Sequence, residues 1–215
     1  MNYWRGMFVI LAFFGTSSQA QTLFQDHFEE GLKANWKPLK FEGQTQYSII
    51  RDGTNSFLQG RAQSSATGLA WQLDPVPATG TEISWKWKID KVPPGGSEDT
   101  KKTFDHTARL FVAFKTFLGP PRSINYVWAN QTAVGKTFHH PSSGRSRFIV
   151  LESGNQKAGE WLSEKRNITA DWKFLFGDDD VPDIAAIGLM TDSDGTEATV
   201  TGSYDDIVVN QEKAK

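Results

Sequence analysis

Short apolar stretches alternate with clusters of turn residues along this chain, and most of those stretches repeat with a period of two. Ile83 to Ile89 (ISWKWKI) is the clearest case: Ile83, Trp85, Trp87 and Ile89 share one face, and Ser84, Lys86 and Lys88 share the other. Successive side chains of a strand point to opposite faces, so both tryptophans are expected in a core. Arg109 to Phe114 (RLFVAF) and Phe148 to Leu151 (FIVL) are apolar on both faces, which predicts central strands covered on both sides. Ile184 to Met190 (IAAIGLM) continues the theme, with Gly188 placed for a bulge or a close approach. Phe24, Asp26 and Phe28 open the domain with alternation and Tyr204 to Val209 (YDDIVV) closes it. First and last strands of jelly rolls are often neighbours, so these ends are expected to pair.

The connections are equally legible. Asp52 and Gly53 mark a hairpin turn, residues 74 to 80 (DPVPATG) a further connection, and Val92 to Lys102 (VPPGGSEDTKK) a long polar loop able to arch over a sheet. One helix is predicted over Ile168 to Phe176, capped by Asn167, with Asp171 early and Gly177 as the stop. Ile168, Trp172, Leu175 and Phe176 fall at helical spacing, so the helix should cover a sheet edge or an end of the sandwich. The chain reads as all-β: a jelly-roll-like or concanavalin-like β-sandwich with one short helix at 168–176.

Composition adds a compartment. Residues 1–20 carry one early Arg, an apolar run from Met7 to Phe14, and small residues ending Ser18, Gln19, Ala20, the pattern of a signal peptide cleaved before Gln21. That run is too short to span a bilayer, and no Cys follows it as a lipoprotein anchor would require. The expectation is a single domain over 21–215, periplasmic or secreted, with no membrane span after cleavage and only a short disordered tail from Gln211. Without Arg5 the balance is 22 basic against 25 acidic residues, which offers nothing to nucleic acid. With no Cys, the fold must hold by its core alone. Of eight Trp only Trp4 lies in the leader, so the domain is rich in large buried area.

Candidate chemistry centres on Ile124 to Asn130 (INYVWAN). With period two, Ile124, Tyr126, Trp128 and Asn130 share one face and Asn125, Val127 and Ala129 the other, so both faces mix polar with apolar. Aromatics stack on sugar rings and amides bond hydroxyls, which makes Asn125, Tyr126, Trp128 and Asn130 candidate glycan contacts, with Asp105, Arg109 and Trp161 as neighbours. The alternative is that the aromatics fill the sandwich and the amides satisfy strand ends. Asp105, His106 and Arg109 can clamp a polar ligand or do acid and base work, or Asp105 and Arg109 can simply pair at a strand entrance. Asp192, Ser193, Asp194 and Gly195 resemble half of a calcium loop, so a structural calcium on Asp192 and Asp194, or on Asp26 with Asp206 at the paired chain ends, is an expectation alongside a plain solvated turn. His139 and His140 are adjacent beside Pro141 and in poor register for one zinc ion. No HExxH, GxSxG, P-loop or Rossmann glycine pattern is present, though paired-carboxylate glycosidases carry no such motif.

The WKWK of 85–88, Asp105 with Ala108 and Arg109, and NYVWAN at 125–130 carry a family resemblance. Ser153, Gly154, Gly159, Trp161, Glu164, Arg166, Asn167 and Asp171 extend it, as do Thr191, Asp192, Asp194, Thr196, Tyr204 and Asp206. On these residues the chain resembles the bacterial domain of unknown function 3047 family across essentially all of its mature length. Asp205 stands where that pattern has Gly, and the His139–His140 loop is particular to this chain. The resemblance implies an exported, sandwich-like domain similar in outline to lectin-like folds, without an assigned activity. Three readings follow: a non-catalytic module binding a glycan or other polar ligand of the cell envelope, a carbohydrate-active hydrolase or lyase using Asp105 and Arg109, or a structural partner of another envelope protein.

Overall fold

The structure is a computed structural model that describes residues 20–212. All but the last residue of the expected leader, and residues 213–215 of the expected tail, lie outside the described residues, whereas Gln211 and Glu212, expected in that tail, are strand residues paired with Gln21 and Ala20. The described residues form β1 (Ala20–Asp26), β2 (Lys37–Glu42), β3 (Gln46–Asp52), β4 (Asn55–Gln63), β5 (Ala66–Val76), β6 (Thr81–Ile89), β7 (Arg109–Phe114), β8 (Arg122–Ala129), β9 (Thr137–His140), β10 (Ser143–Ser153), β11 (Leu162–Asn167), α1 (Ile168–Phe176), β12 (Ile184–Asp192) and β13 (Thr199–Glu212). One sheet runs β11-β6-β13-β4-β3, with β1 also paired to β13; the other runs β2-β5-β12-β7-β8-β10-β9. Every pairing is antiparallel except that of β8 with β10. The two sheets face each other as a jelly-roll-like β-sandwich.

The expected alternation builds the space between them. Trp85 and Trp87 of β6 are buried against Tyr126 and Trp128 of β8, with ring centroids 5.1 Å apart for Trp85–Tyr126 and 6.1 Å for Trp87–Trp128. Leu110, Val112 and Phe114 of β7, Leu189 of β12 and Tyr204 of β13 complete this core. Aromatic side chains bury roughly 150–250 Å² each, which explains how a chain without disulfides holds two sheets together. The chain ends pair as expected, with Asp26 of β1 opposite Ile207 of β13. Asp52 and Asn55 face each other across the predicted hairpin, where Gly53 takes φ 62°. The connection read at 74–80 is shorter than expected, because β5 continues to Val76.

α1 runs over the predicted residues. The Asn167 side chain accepts from the Ala170 N–H, and Gly177 (φ 65°) donates its N–H to the Lys173 carbonyl, so both ends are closed by local chemistry. Trp172 packs on Phe114 and Phe176, sealing one end of the sandwich.

β7 differs from expectation in a way that matters for the site. Leu110, Val112 and Phe114 are buried between the sheets, but Arg109, Phe111 and Ala113 on the outer face stay partly exposed. β10 does have both faces covered: Ile149 packs inward, while Phe148 and Val150 join Phe104, Val127 and Ala129 in a second, smaller cluster outside. β7 is thus central in its sheet but open on one side, because apolar residues there form a floor rather than a core.

Candidate functional site

The outer face of the seven-stranded sheet carries a cleft of about 520 Å³. Alternation delivers its floor: Arg109, Phe111 and Ala113 from β7, Ser123 and Asn125 from β8, Ser146 and Phe148 from β10, and Met190 and Asp192 from β12. Leu39 and Phe41 of the edge strand β2 border it on one side, and His140 of β9 on the other. Gly188 makes the close approach suggested by its sequence. It pairs directly with Phe111, whose ring lies where a Gly188 side chain would stand: a Cβ there would come within 2.0 Å of Phe111 Cζ. Glycine at this position therefore lets an aromatic ring lie flat on the sheet.

The loop from Val92 to Phe104 supplies one wall, with Lys101, Lys102 and Phe104 lining the cleft. Buried Glu98 anchors that loop, its carboxylate accepting from the Asn130 N–H (2.6 Å) and Nδ2 (2.9 Å) and from the Thr132 hydroxyl (2.8 Å). Asn130 Nδ2 also donates to the Asp105 carbonyl at 2.8 Å. Asp105 in turn accepts from the Gly195 N–H (3.2 Å), the Thr196 N–H (2.7 Å) and the Thr196 hydroxyl (2.7 Å). Charge-assisted bonds of this kind are about twice as strong as neutral ones, so two buried carboxylates knit three loops into a rigid end of the cleft. Asp105 thus accepts three of the protein's own donors and braces the end of the cleft.

Asp192 accepts from the His106 N–H (3.2 Å) and pairs with Arg109 Nη2 (3.3 Å). Burial pushes its carboxyl up to about 7; Arg109 opposes that shift, and Asp105 and Asp194 reinforce it. Carboxylate oxygens of Asp105, Asp192 and Asp194 lie within 4.8 Å of one another, so the two expected calcium ligands do converge, joined by a third acid. Calcium takes six to eight oxygens. Here the two buried carboxylates also accept N–H donors and, at Asp192, a guanidinium, which meet part of the charge that a cation would neutralise. Asp26 and Asp206 do not share a site. Asp26 accepts from Trp36 Nε1 (2.9 Å) and the Phe28 N–H (3.1 Å), whereas Asp206 pairs with Lys86 (2.8 Å) and His27 (2.6 Å).

His106 is fully buried, stacked against Phe138 and Phe148 with Phe104 at its edge. Burial, then Arg109 and His140, hold it well below the ordinary imidazole range, so it is neutral and apolar in role. His140 is likewise lowered by burial and by the charges of Arg109 and Lys101.

The seven sequence candidates separate. Asn125 and Arg109 line the cleft with Asp105 at its end. Asn125 Nδ2 is oriented by Ser123 Oγ at 3.0 Å. Tyr126 and Trp128 face the other way and fill the sandwich, the first donating to Asp171 (2.9 Å) and the second to the Gly154 carbonyl (2.9 Å). Both are corrected from site to core, because they share their strand face with buried Ile124. Asn130 is a buried brace beyond the strand end. Trp161 packs on Phe57 under the Lys88 ammonium on the opposite side of the sandwich, away from the cleft. Sequence reasoning missed Phe41, Lys101, Lys102, Phe111, His140, Arg145 and Phe148. Only the alternation of Arg109, Phe111 and Ala113 signalled any of them; the rest arrive through sheet order and loop placement.

A family model described as a protein of unknown function (DUF3047) matches residues 34–208. The chain belongs to the DUF3047 family. No curated protein matches it in sequence. Among solved structures, the chain is similar to a family 11 carbohydrate-binding module from Clostridium thermocellum in complex with a beta-1,3-1,4-mixed-linked tetrasaccharide, at 16% identity and TM-score 0.47 over 90% of this chain and 96% of that one. It is similar to a CBM22-1 xylan-binding domain from Paenibacillus barcinonensis at 15% identity and TM-score 0.47, over 93% and 100%. The xyloglucanase domain of NopAA from Sinorhizobium fredii, in complex with cellobiose, is similar at 10% identity and TM-score 0.47, over 82% and 93%.

Proposed function

We propose that this protein is an exported glycan-binding module of the cell envelope whose ligand lies in the cleft on the outer face of the seven-stranded sheet. One observation carries the reading: a cleft of about 520 Å³ whose floor is aromatic and apolar (Phe104, Phe111, Phe148, Met190) and whose fringe is polar (Ser123, Asn125, Ser146, Arg109). Sugars present both a C–H face and a ring of hydroxyls, so a site for them needs both surfaces side by side. The floor belongs to strands and the wall loop is pinned by Glu98 and Asp105, so little ordering cost falls on the bound ligand. Export is supported by the leader-like residues 1–20, and no helix among the described residues is long and apolar enough to cross a membrane.

A glycan array followed by calorimetry on the purified protein tests the reading. Phe41 is 69% exposed at the cleft border, so Phe41→Ala leaves the core intact. It should weaken glycan binding by roughly fivefold, the effect of about 1 kcal/mol of lost stacking. Binding that is absent, or unchanged in both Phe41→Ala and Phe111→Ala, would sink the proposal.

A further inference from the structure

The cleft's acids are spent within the protein and most of its bases are not. Asp105 accepts three donors from Gly195 and Thr196, and Asp192 holds Arg109 and the His106 N–H, so neither offers free negative charge to a ligand. Asp194 is the acid left at the rim, and burial and Asp105 raise its carboxyl above the ordinary range. Against these stand Lys101, Lys102 and Arg145, which line the cleft and make no ion pair among the described residues. Arg145 donates one N–H to the Pro120 carbonyl (2.8 Å), and buried Arg109 Nε has no partner. The depression of His140, caused after burial by Arg109 and Lys101, reports the same positive field from inside the cleft.

Unpaired cations around an aromatic floor gain nothing from a neutral sugar and much from an anionic one, since guanidinium and ammonium groups bind carboxylates by charge-assisted hydrogen bonds. We propose that the ligand is an acidic saccharide of the uronate type, its ring against the Phe111 floor and its carboxylates met by Lys101, Lys102 and Arg145. The inference deepens the glycan reading above and rests on it. It explains why a chain with net negative charge gathers four basic side chains at one cleft. Ligand recruitment should therefore weaken with salt, because exposed charges are screened over about 8–10 Å at physiological ionic strength.

The test is calorimetry of the purified protein with hexamers of galacturonate, glucuronate, mannuronate and guluronate, each beside its carboxyl-reduced neutral counterpart, at low and high sodium chloride. At least one uronate should bind tenfold or more tightly than its reduced form, with the gap shrinking in high salt. Lys101 and Lys102 are exposed, so the double variant Lys101→Gln/Lys102→Gln keeps the fold. It should lose five- to tenfold for the uronate and leave the reduced form unchanged; Arg145→Gln should act in the same direction. Equal affinity for acidic and reduced forms would overturn the acidic preference and leave the glycan cleft standing. Absence of binding to every uronate overturns the acidic preference, while the glycan reading is decided by the array.

Discussion

At the residue scale, position on a strand decides role more than residue type does. Tyr126 and Asn125 are adjacent, yet one donates to buried Asp171 and the other lines the cleft. Period two made that division legible in the sequence; which face was covered depended on sheet order, which no local pattern encodes. Gly188 shows the same limit. Its oddity was visible, but its partner Phe111 is 77 positions away and meets it only across the β7–β12 register. Gly188→Ala should push Phe111 off the sheet and weaken ligand binding at least tenfold, measured by calorimetry, while circular dichroism stays that of a β-sandwich. Asp192 gives a pH prediction. Its folded pKa of about 7 lies above its ordinary 3.8, so the folded state holds that proton more tightly. Its stabilising contribution is full below about pH 4 and lost as pH rises to about 7. His106 works against it: lowered from its ordinary 6.5, it contributes stability above that pH that fades as pH falls. The difference in unfolding free energy between the protein and Asp192→Asn isolates the first effect, and it should decline between pH 4 and 7 and then level off. A flat difference would mean that Arg109 keeps the carboxylate charged throughout.

At the scale of elements, the local ones were readable and the loops were not. α1 announced itself by Asn167 and Gly177 because both caps act within four residues. Asn167→Ala should cost about 1 kcal/mol in chemical denaturation and leave ligand affinity untouched, since α1 closes the sandwich end and contributes nothing to the cleft. The loop from Val92 to Lys102 was recognisable as a polar arch, but its destination rests on Glu98 reaching Asn130 and Thr132, more than thirty positions on. Glu98→Ala leaves those donors unsatisfied and should cost roughly 1–3 kcal/mol, and it should also weaken binding by freeing Lys101 and Lys102. The same logic applies to Asp105: Asp105→Asn should lower the melting temperature, because it weakens the bonds to Gly195 and Thr196.

At the scale of the whole molecule, the sandwich, the pairing of its ends and its tryptophan core followed from alternation. The cleft did not, because it is a property of one face of seven strands drawn from residues 39 to 195. The acidic cluster at Asp105, Asp192 and Asp194 is met in part by Arg109 and backbone N–H groups, and a structural calcium there is the remaining proposal. Calcium at a hundred times its dissociation constant should stabilise an occupied structural site by about 2.7 kcal/mol; a melting temperature that moves by no more than about 1 °C with added calcium or chelator would leave the cluster a plain turn. The central claim is that ligand binds the outer face of the seven-stranded sheet, and an amide-resolved NMR titration with the tightest saccharide tests it most directly. Shifts should concentrate at Phe41, Lys101, Arg109, Phe111, Asn125 and Phe148. Shifts centred instead on Trp161, Phe57 and Lys88, across the sandwich, would contradict it.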